Sequence, residues 1–128
     1  GNGWQTQKLQ KAAKGRYLAI VCVDAHDGKD VASIAEIYLQ GADGKRLSRE
    51  PWTVKFVSSE DFENGNQTGD KVYDLQESTY WSSAKGMKYP HVLVLDLGEE
   101  QTISAIEYLP RAEQGAPGSV RNYKLYMQ

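Results

Sequence analysis

The chain is poor in the features that announce a function most directly. It holds a single cysteine, so no intramolecular disulfide can form. Cys22 sits inside the apolar run 18–23, where the default role is a small buried hydrophobe. No stretch reaches transmembrane length, and no basic region followed by an apolar segment opens the chain, so a signal peptide is not expected within it. The opening Gly1-Asn2-Gly3 reads as a trimmed boundary, which leaves room for a leader upstream. Basic charge is not in excess either. With 15 Lys and Arg against 17 Asp and Glu the formal net charge is −2, there is no basic stripe, and nucleic acid is not an expected partner. There is no Gly-x-Ser-x-Gly elbow, no His-Glu-x-x-His and no phosphate loop, and Cys22 lacks a nearby histidine base. The pairs Glu60-Asp61 and Glu99-Glu100 stand beside turn signals and read as solvated faces. An enzyme is therefore not expected.

What is present is a series of short strands. At 128 residues the chain suits one domain with a real core. Residues 4–15 carry Lys8, Lys11 and Lys14 among glutamines with little apolar periodicity, and residues 1–15 are assigned to a linker, boundary or single helical turn, leaving 16–128 as the domain. Residues 17–23 are nearly continuously apolar and suit a strand covered on both faces. A second strand is expected over 32–40, ending at the turn 41–45 with its Asp43-Gly44 pair. Trp52, Val54 and Phe56 alternate with Thr53 and Lys55 at the strand period. After a long polar loop at 58–70, strands are expected at 91–97, stopped by Gly98, then at 103–109 and 120–127. Some seven short strands with turn signals between them, and no helical period, argue for an antiparallel sandwich or barrel.

The stretch around which these strands are arranged runs from Asp74 to Trp81. An Asp and a Thr five residues apart both face inward only if the backbone between Asp74 and Thr79 turns sharply, and Trp81 would anchor that turn in the core. Residue chemistry alone says ordered turn and no more.

Taken with Tyr89-Pro90-His91, Leu95-Asp96-Leu97-Gly98, Ile103, Tyr108-Leu109-Pro110-Arg111, Gly118 and Asn122-Tyr123-Lys124-Leu125-Tyr126, that stretch resembles the discoidin, or coagulation factor 5/8 C-type, domain, which includes the family 32 carbohydrate-binding modules of bacterial glycoside hydrolases. The resemblance implies an all-β, antiparallel β-sandwich of jelly-roll, galactose-binding-domain-like type whose end loops bind ligand. The order of the pieces is unusual, because Arg16-Tyr17-Leu18 and Ser33-Ile34-Ala35-Glu36-Ile37 resemble segments that normally close such a domain. We infer circular permutation, which adjacent surface termini permit. The competing reading is a chain spanning the tail of one module and the head of the next.

The resemblance also implies site residues. Many relatives wrap a structural calcium at the turn matching Asp74 to Trp81, which here would draw on the Asp74 and Glu36 carboxylates, the Thr79 hydroxyl and carbonyl, and the main-chain carbonyls of Lys71 and Gln76. Leu75 and Gln76 stand where the family usually has Gly and then Asp or Asn, and Lys71, a water or backbone amides are the alternative to an ion. Glu36, set among apolar neighbours, needs a partner in either case. For carbohydrate, Arg111 supplies a planar donor fork, with Tyr89 and Tyr80 as aromatic candidates and His26 and Asn66 as loop residues able to reach a hydroxyl. Trp81 and Trp52 are assigned to the core. Ala116 replaces an asparagine that often follows the arginine, and a strand-end ion pair of Arg111 with Glu107 or Glu113 is the structural alternative. Asn66-Gln67-Thr68 also reads as a glycosylation sequon.

The function implied is a non-catalytic carbohydrate-binding module for galactose-type or related sugars. It would be monomeric, tethered to a glycoside hydrolase or similar domain in a larger bacterial protein, and secreted, periplasmic or at the cell surface. An adhesion module binding protein or membrane, or a spacer with a decayed site, are the alternatives. Membrane docking is not favoured, since the loops offer acids, Gly and Asn, with Met87, Lys85 and Lys88 the exception.

Overall fold

The computed structural model describes residues 3–111 and 118–128. In chain order the elements are β1 (Gln5–Ala25), β2 (Ser33–Ile34), β3 (Glu36–Gly41), β4 (Thr53–Val57), a short 3-10 helix (Gly69–Tyr73), β5 (Trp81–Ser82), β6 (His91–Leu109) and β7 (Val120–Met127). Among the described residues the strand ladders are antiparallel, with one isolated parallel bridge between Ser33 and Ser119, and the class is the all-β antiparallel sandwich expected.

Two long strands build it. The later part of β1, from Tyr17 to Cys22, pairs with Asp96 to His91 of β6. On that side the strand order is β4-β6-β1-β7. The earlier part of β1, from Gln5 to Gly15, pairs with Tyr108 to Gln101 of β6, and β3 lies on the other side of β6 there. Both layers thus share β1 and β6, and the chain bends from one to the other where the register jumps between Gly15 and Tyr17.

Two expectations are corrected. Residues 4–15 are not a linker or helical turn, since from Gln5 onward they are strand. Their side chains are mostly exposed, so the ladder is carried by main-chain bonds that leave no apolar pattern. Trp4, stacked near Tyr38 at 5.7 Å, and the 2.7 Å hydrogen bond from the Tyr108 hydroxyl to Gln5 Oε1 fasten the segment. Gly98 does not stop β6 either. Its φ of +86° turns the strand at the bend, and a Cβ there would lie 2.7 Å from Pro51 Cβ, so glycine serves both the turn and the close approach.

The core lies between the layers. Leu18, Ile20 and Cys22 of β1, Leu93, Leu95 and Leu97 of β6, Ile37 and Leu39 of β3 and Trp81 form one buried cluster. The alternation of buried and half-buried residues over 17–22 shows one buried face there, not two. Trp81 is fully buried and its Nε1 donates to the Ser59 carbonyl at 3.1 Å, so it anchors the loop before the 3-10 helix as well as the core. Trp52 is buried too, as expected. Burial pushes the Cys22 thiol up to about 12, which leaves it unreactive.

Candidate functional site

Two polar constellations stand out. The first is buried. Glu36 opens β3 with 2% of its surface exposed, and its partner is Arg49, 7% exposed, in the segment before β4. Arg49 Nη1 donates to Glu36 Oε2, to the Ile37 carbonyl at 3.0 Å and to the Val72 carbonyl at 3.3 Å, while the guanidinium lies 3.7 Å over the Tyr38 ring. That Glu36 needs a partner is legible in the sequence, but Arg49 is not, being one of three cations, with Lys45 and Arg46, in the polar segment before Trp52.

The turn that begins at Asp74 abuts this pair. The Thr79 hydroxyl donates to Asp74 Oδ2 at 2.5 Å, and the Gln76 amide donates to Asp74 Oδ1 at 3.0 Å. Leu75 takes φ +67°, the left-handed conformation that branched side chains resist, and is 78% exposed. Asp74 and Glu36 sense each other's carboxyl groups. Burial pushes Glu36 up to about 7, with Arg49 pulling down and Asp74 pushing up. Asp74 stays below its ordinary range, because Thr79, Glu36, the Gln76 amide and Lys71 outweigh its burial.

Glu36 Oε1 is buried without a hydrogen-bond partner beside a second carboxylate, an arrangement that calls for a proton or a cation. The oxygens of Asp74, Glu36, Thr79 and the Gln76 carbonyl, which accepts from Thr79 at 3.2 Å, are of the kind calcium takes. Among the described residues no group of three or more His, Cys, Asp and Glu side chains is placed to hold a metal, so main-chain and hydroxyl oxygens would have to complete any shell. Lys71 lies in the 3-10 helix leading into the turn.

The second constellation is a cleft of about 490 Å³ at the end of β6. Arg111, just past Leu109, lies with its guanidinium 3.9 Å over the Tyr80 ring. Asp61 and Asn64 come from the polar loop, Ser82, Ser83 and Lys85 from the segment after Trp81. Main-chain bonds fix these walls together: Asp61 N to the Ser82 carbonyl at 2.9 Å, Gln67 N to the Asp61 carbonyl at 3.0 Å, and Ser83 N to the Ala32 carbonyl at 2.9 Å. Ser83 Oγ also accepts from Ala32 N at 2.9 Å. The Asp61 carboxylate accepts from Glu63 N at 2.9 Å and Asn64 Nδ2 at 3.1 Å. Those bonds and the nearby Arg111 charge hold it below its ordinary range in spite of burial. The cleft therefore presents an ionised carboxylate, an amide, a lysine and a stacked guanidinium together.

The structure brings Arg111 and Tyr80 together and leaves the other expected sugar residues outside the cleft lining. Tyr89 is half-buried, its hydroxyl donating to the Val31 carbonyl at 2.8 Å and its ring 4.5 Å from that of His91, so it supports the cleft wall from behind. His26 is exposed on the turn after β1, tied by its amide to the Ser119 carbonyl at 2.9 Å. Asn66 is exposed two residues beyond Asn64. Glu60-Asp61 is not a solvated face: Asp61 is buried, and Glu60 accepts from Gly69 N at 2.7 Å. Glu107 is paired with Arg46 at 2.8 Å. Glu113 and Ala116 lie outside the described residues.

The buried cluster has a pH signature. With Glu36 raised from 4.5 to about 7, the folded chain holds a proton across that interval that the unfolded chain releases, so stability falls as pH rises from 4.5 to 7. In chelator-treated protein, urea midpoints measured over this range should decline in the wild type, and the decline should be shallower in Glu36→Gln. An unchanged slope in the variant would contradict the assignment.

The comparisons with known proteins agree with this architecture. The F5/8 type C domain family model matches residues 55–128. A sialidase of Micromonospora viridifaciens is 32% identical over 84 residues, which are 62% of this chain and 13% of the sialidase, so the chain spans only a small part of that relative's length. Since the family match runs over more than half of a chain whose β-sandwich carries the Asp74 turn and the Arg111 strand end, the protein belongs to the F5/8 type C, or discoidin, domain family.

Proposed function

We propose that the chain is a non-catalytic carbohydrate-binding module and that the cleft holding Arg111 is its sugar site. The observation that carries this reading is the stacked Arg111–Tyr80 pair sharing one cleft with Asp61 and Asn64. A pyranose presents neighbouring hydroxyls that both donate and accept, and this set answers both: Arg111 donates through a planar fork, the Asp61 carboxylate accepts, and Asn64 does either. Tyr80 holds the guanidinium plane in place, so less freedom is lost when a ligand is bound. The ligand class is a neutral sugar of galactose type. Affinity at a single shallow site is weak, which suits a module that works by holding an attached enzyme on a multivalent glycan. The sialidase relative, of which this chain matches a small part, supports tethering to a glycoside hydrolase; a secreted or cell-surface protein is the setting this reading implies. Circular permutation is part of this reading, and a family match that begins at residue 55 is consistent with it.

A calcium ion at Asp74, Glu36 and Thr79, with carbonyls of Lys71 and Gln76, belongs to the same proposal. When bound it would neutralise the facing carboxylates and lock the turn; it takes no part in sugar contact.

Calorimetry with galactose-, N-acetylgalactosamine- and fucose-terminated sugars tests the site. The wild type should bind at least one of them, and Arg111→Ala should weaken that binding roughly tenfold or more. Unaltered binding in the variant would contradict the assignment. For the metal, calcium should raise the melting temperature of chelator-treated protein by roughly 5–10 °C, and Asp74→Ala should abolish the rise. A wild-type melting temperature indifferent to both calcium and chelator would rule the ion out.

A further inference from the structure

Asn64 stands in the cleft lining with Gly65 directly after it, a dipeptide whose side chain and main chain can react with each other. The reaction needs an exposed carboxamide, an uncrowded neighbour and a free amide nitrogen. Asn64 is exposed and lies outside the strands, and Gly65 brings no side chain to block the approach. Among the described residues the Gly65 amide donates to no acceptor. The Asn64 carbonyl, by contrast, accepts from Gln67 Nε2 at 2.8 Å, which draws electron density out of the shared peptide unit and makes the Gly65 N–H more acidic. The other described asparagines are protected. After Asn66 the Gln67 amide already donates to the Asp61 carbonyl at 3.0 Å, and Asn122 sits in β7 with its Nδ2 held between both Asp24 carboxylate oxygens at 3.0 and 3.1 Å.

We propose that Asn64 is a self-modifying site whose conversion to aspartate or isoaspartate shuts the cleft to ligand. Hydroxide takes the proton of the Gly65 amide, and the nitrogen attacks Asn64 Cγ. The N–Cγ bond forms, the Cγ–Nδ2 bond breaks, and Nδ2 leaves as ammonia with a proton from water. Water then opens the succinimide. Attack at Cγ leaves aspartate, and attack at the main-chain carbonyl carbon leaves isoaspartate, with the chain running through Cγ. The cleft changes either way. Asn64 Nδ2 donates to Asp61 Oδ2 at 3.1 Å, so a carboxylate in its place sets like charge against an ionised neighbour and removes a donor from the lining. Isoaspartate also lengthens the main chain inside the loop that Asp61 and Gln67 close. The effect on ligand rests on the sugar-binding reading above; the chemistry does not.

Peptide mapping by mass spectrometry of the full chain, kept folded in mildly alkaline and in mildly acidic buffer, reads the chemistry. Asn64 should convert ahead of Asn66 and Asn122, faster in the alkaline sample, giving both aspartate and isoaspartate. Asn2, which also precedes glycine, is an internal control. Asn64 intact while Asn2 converts, or intact throughout, overturns the site. Calorimetry with galactose-, N-acetylgalactosamine- and fucose-terminated sugars then compares fresh protein, the converted sample and Asn64→Asp. Fresh protein should bind at least one of them, and both altered forms should bind it roughly tenfold or more weakly. Conversion with affinity unchanged overturns the closing of the cleft and spares the Arg111 site. Absence of sugar binding by fresh protein overturns the Arg111 reading and with it the effect on ligand, whatever the mapping shows.

Discussion

Glu36 carries a carboxylate into the interior of a β-sandwich, and the Arg49 guanidinium is what allows it to stay there. One charged side chain ties two elements together: the start of β3 through Glu36, the Ile37 carbonyl and the Tyr38 ring, and the 3-10 helix through the Val72 carbonyl. Removing one member of such a pair typically costs about 3–5 kcal/mol, because the other is left charged and unpartnered. The Asp74 turn is built against this cluster. Its hydrogen bonds to Thr79 and Gln76 close the loop on itself, and its carboxyl group faces Glu36. The brace is thus the joint between the sheet and the connections leading to Trp81 and the cleft.

What the brace holds in register, the two long strands extend. Because β1 and β6 each run through both layers, the end of β6 arrives at one rim of the sandwich with Arg111 just beyond it, and β5 brings Ser82 to the same rim. The polar loop is sewn to β5 by main-chain bonds at Asp61, Gln67 and Ser82. Polar side chains then serve two separate ends: buried Glu36 and Arg49 with half-buried Asp74 hold the fold, while buried Asp61, half-buried Arg111 and exposed Asn64 line a cleft.

The fold was legible where burial selects apolar side chains. His91 to Leu97 is a nearly continuous apolar run whose alternate residues meet the core, and Trp81 declared itself by size. The first part of β1 was not legible, since main-chain pairing at an exposed edge places no demand on residue type, and its lysines are what keeps such an edge from pairing further. Gly98 reads as a stop in any local window; only the bend between layers and the approach of Pro51 explain it. In the site, Arg111 and Tyr80 came through because a resemblance singled them out. Arg49 and Asp61 did not, because a charged residue in a polar stretch carries no mark of burial until distant segments close over it. Leu75 shows the same limit from the other side: an unfavourable residue for a left-handed turn is held there by the hydrogen bonds around it.

The division of labour between a buried brace and a separate cleft can be read from the backbone amide resonances of the isotopically labelled chain during titration with a galactose-terminated disaccharide. Shifts are expected at Asp61, Asn64, Lys85 and Arg111 and their neighbours, with Glu36, Asp74 and Thr79 unmoved. Shifts centred on Glu36 and Asp74 with the cleft residues silent would contradict it.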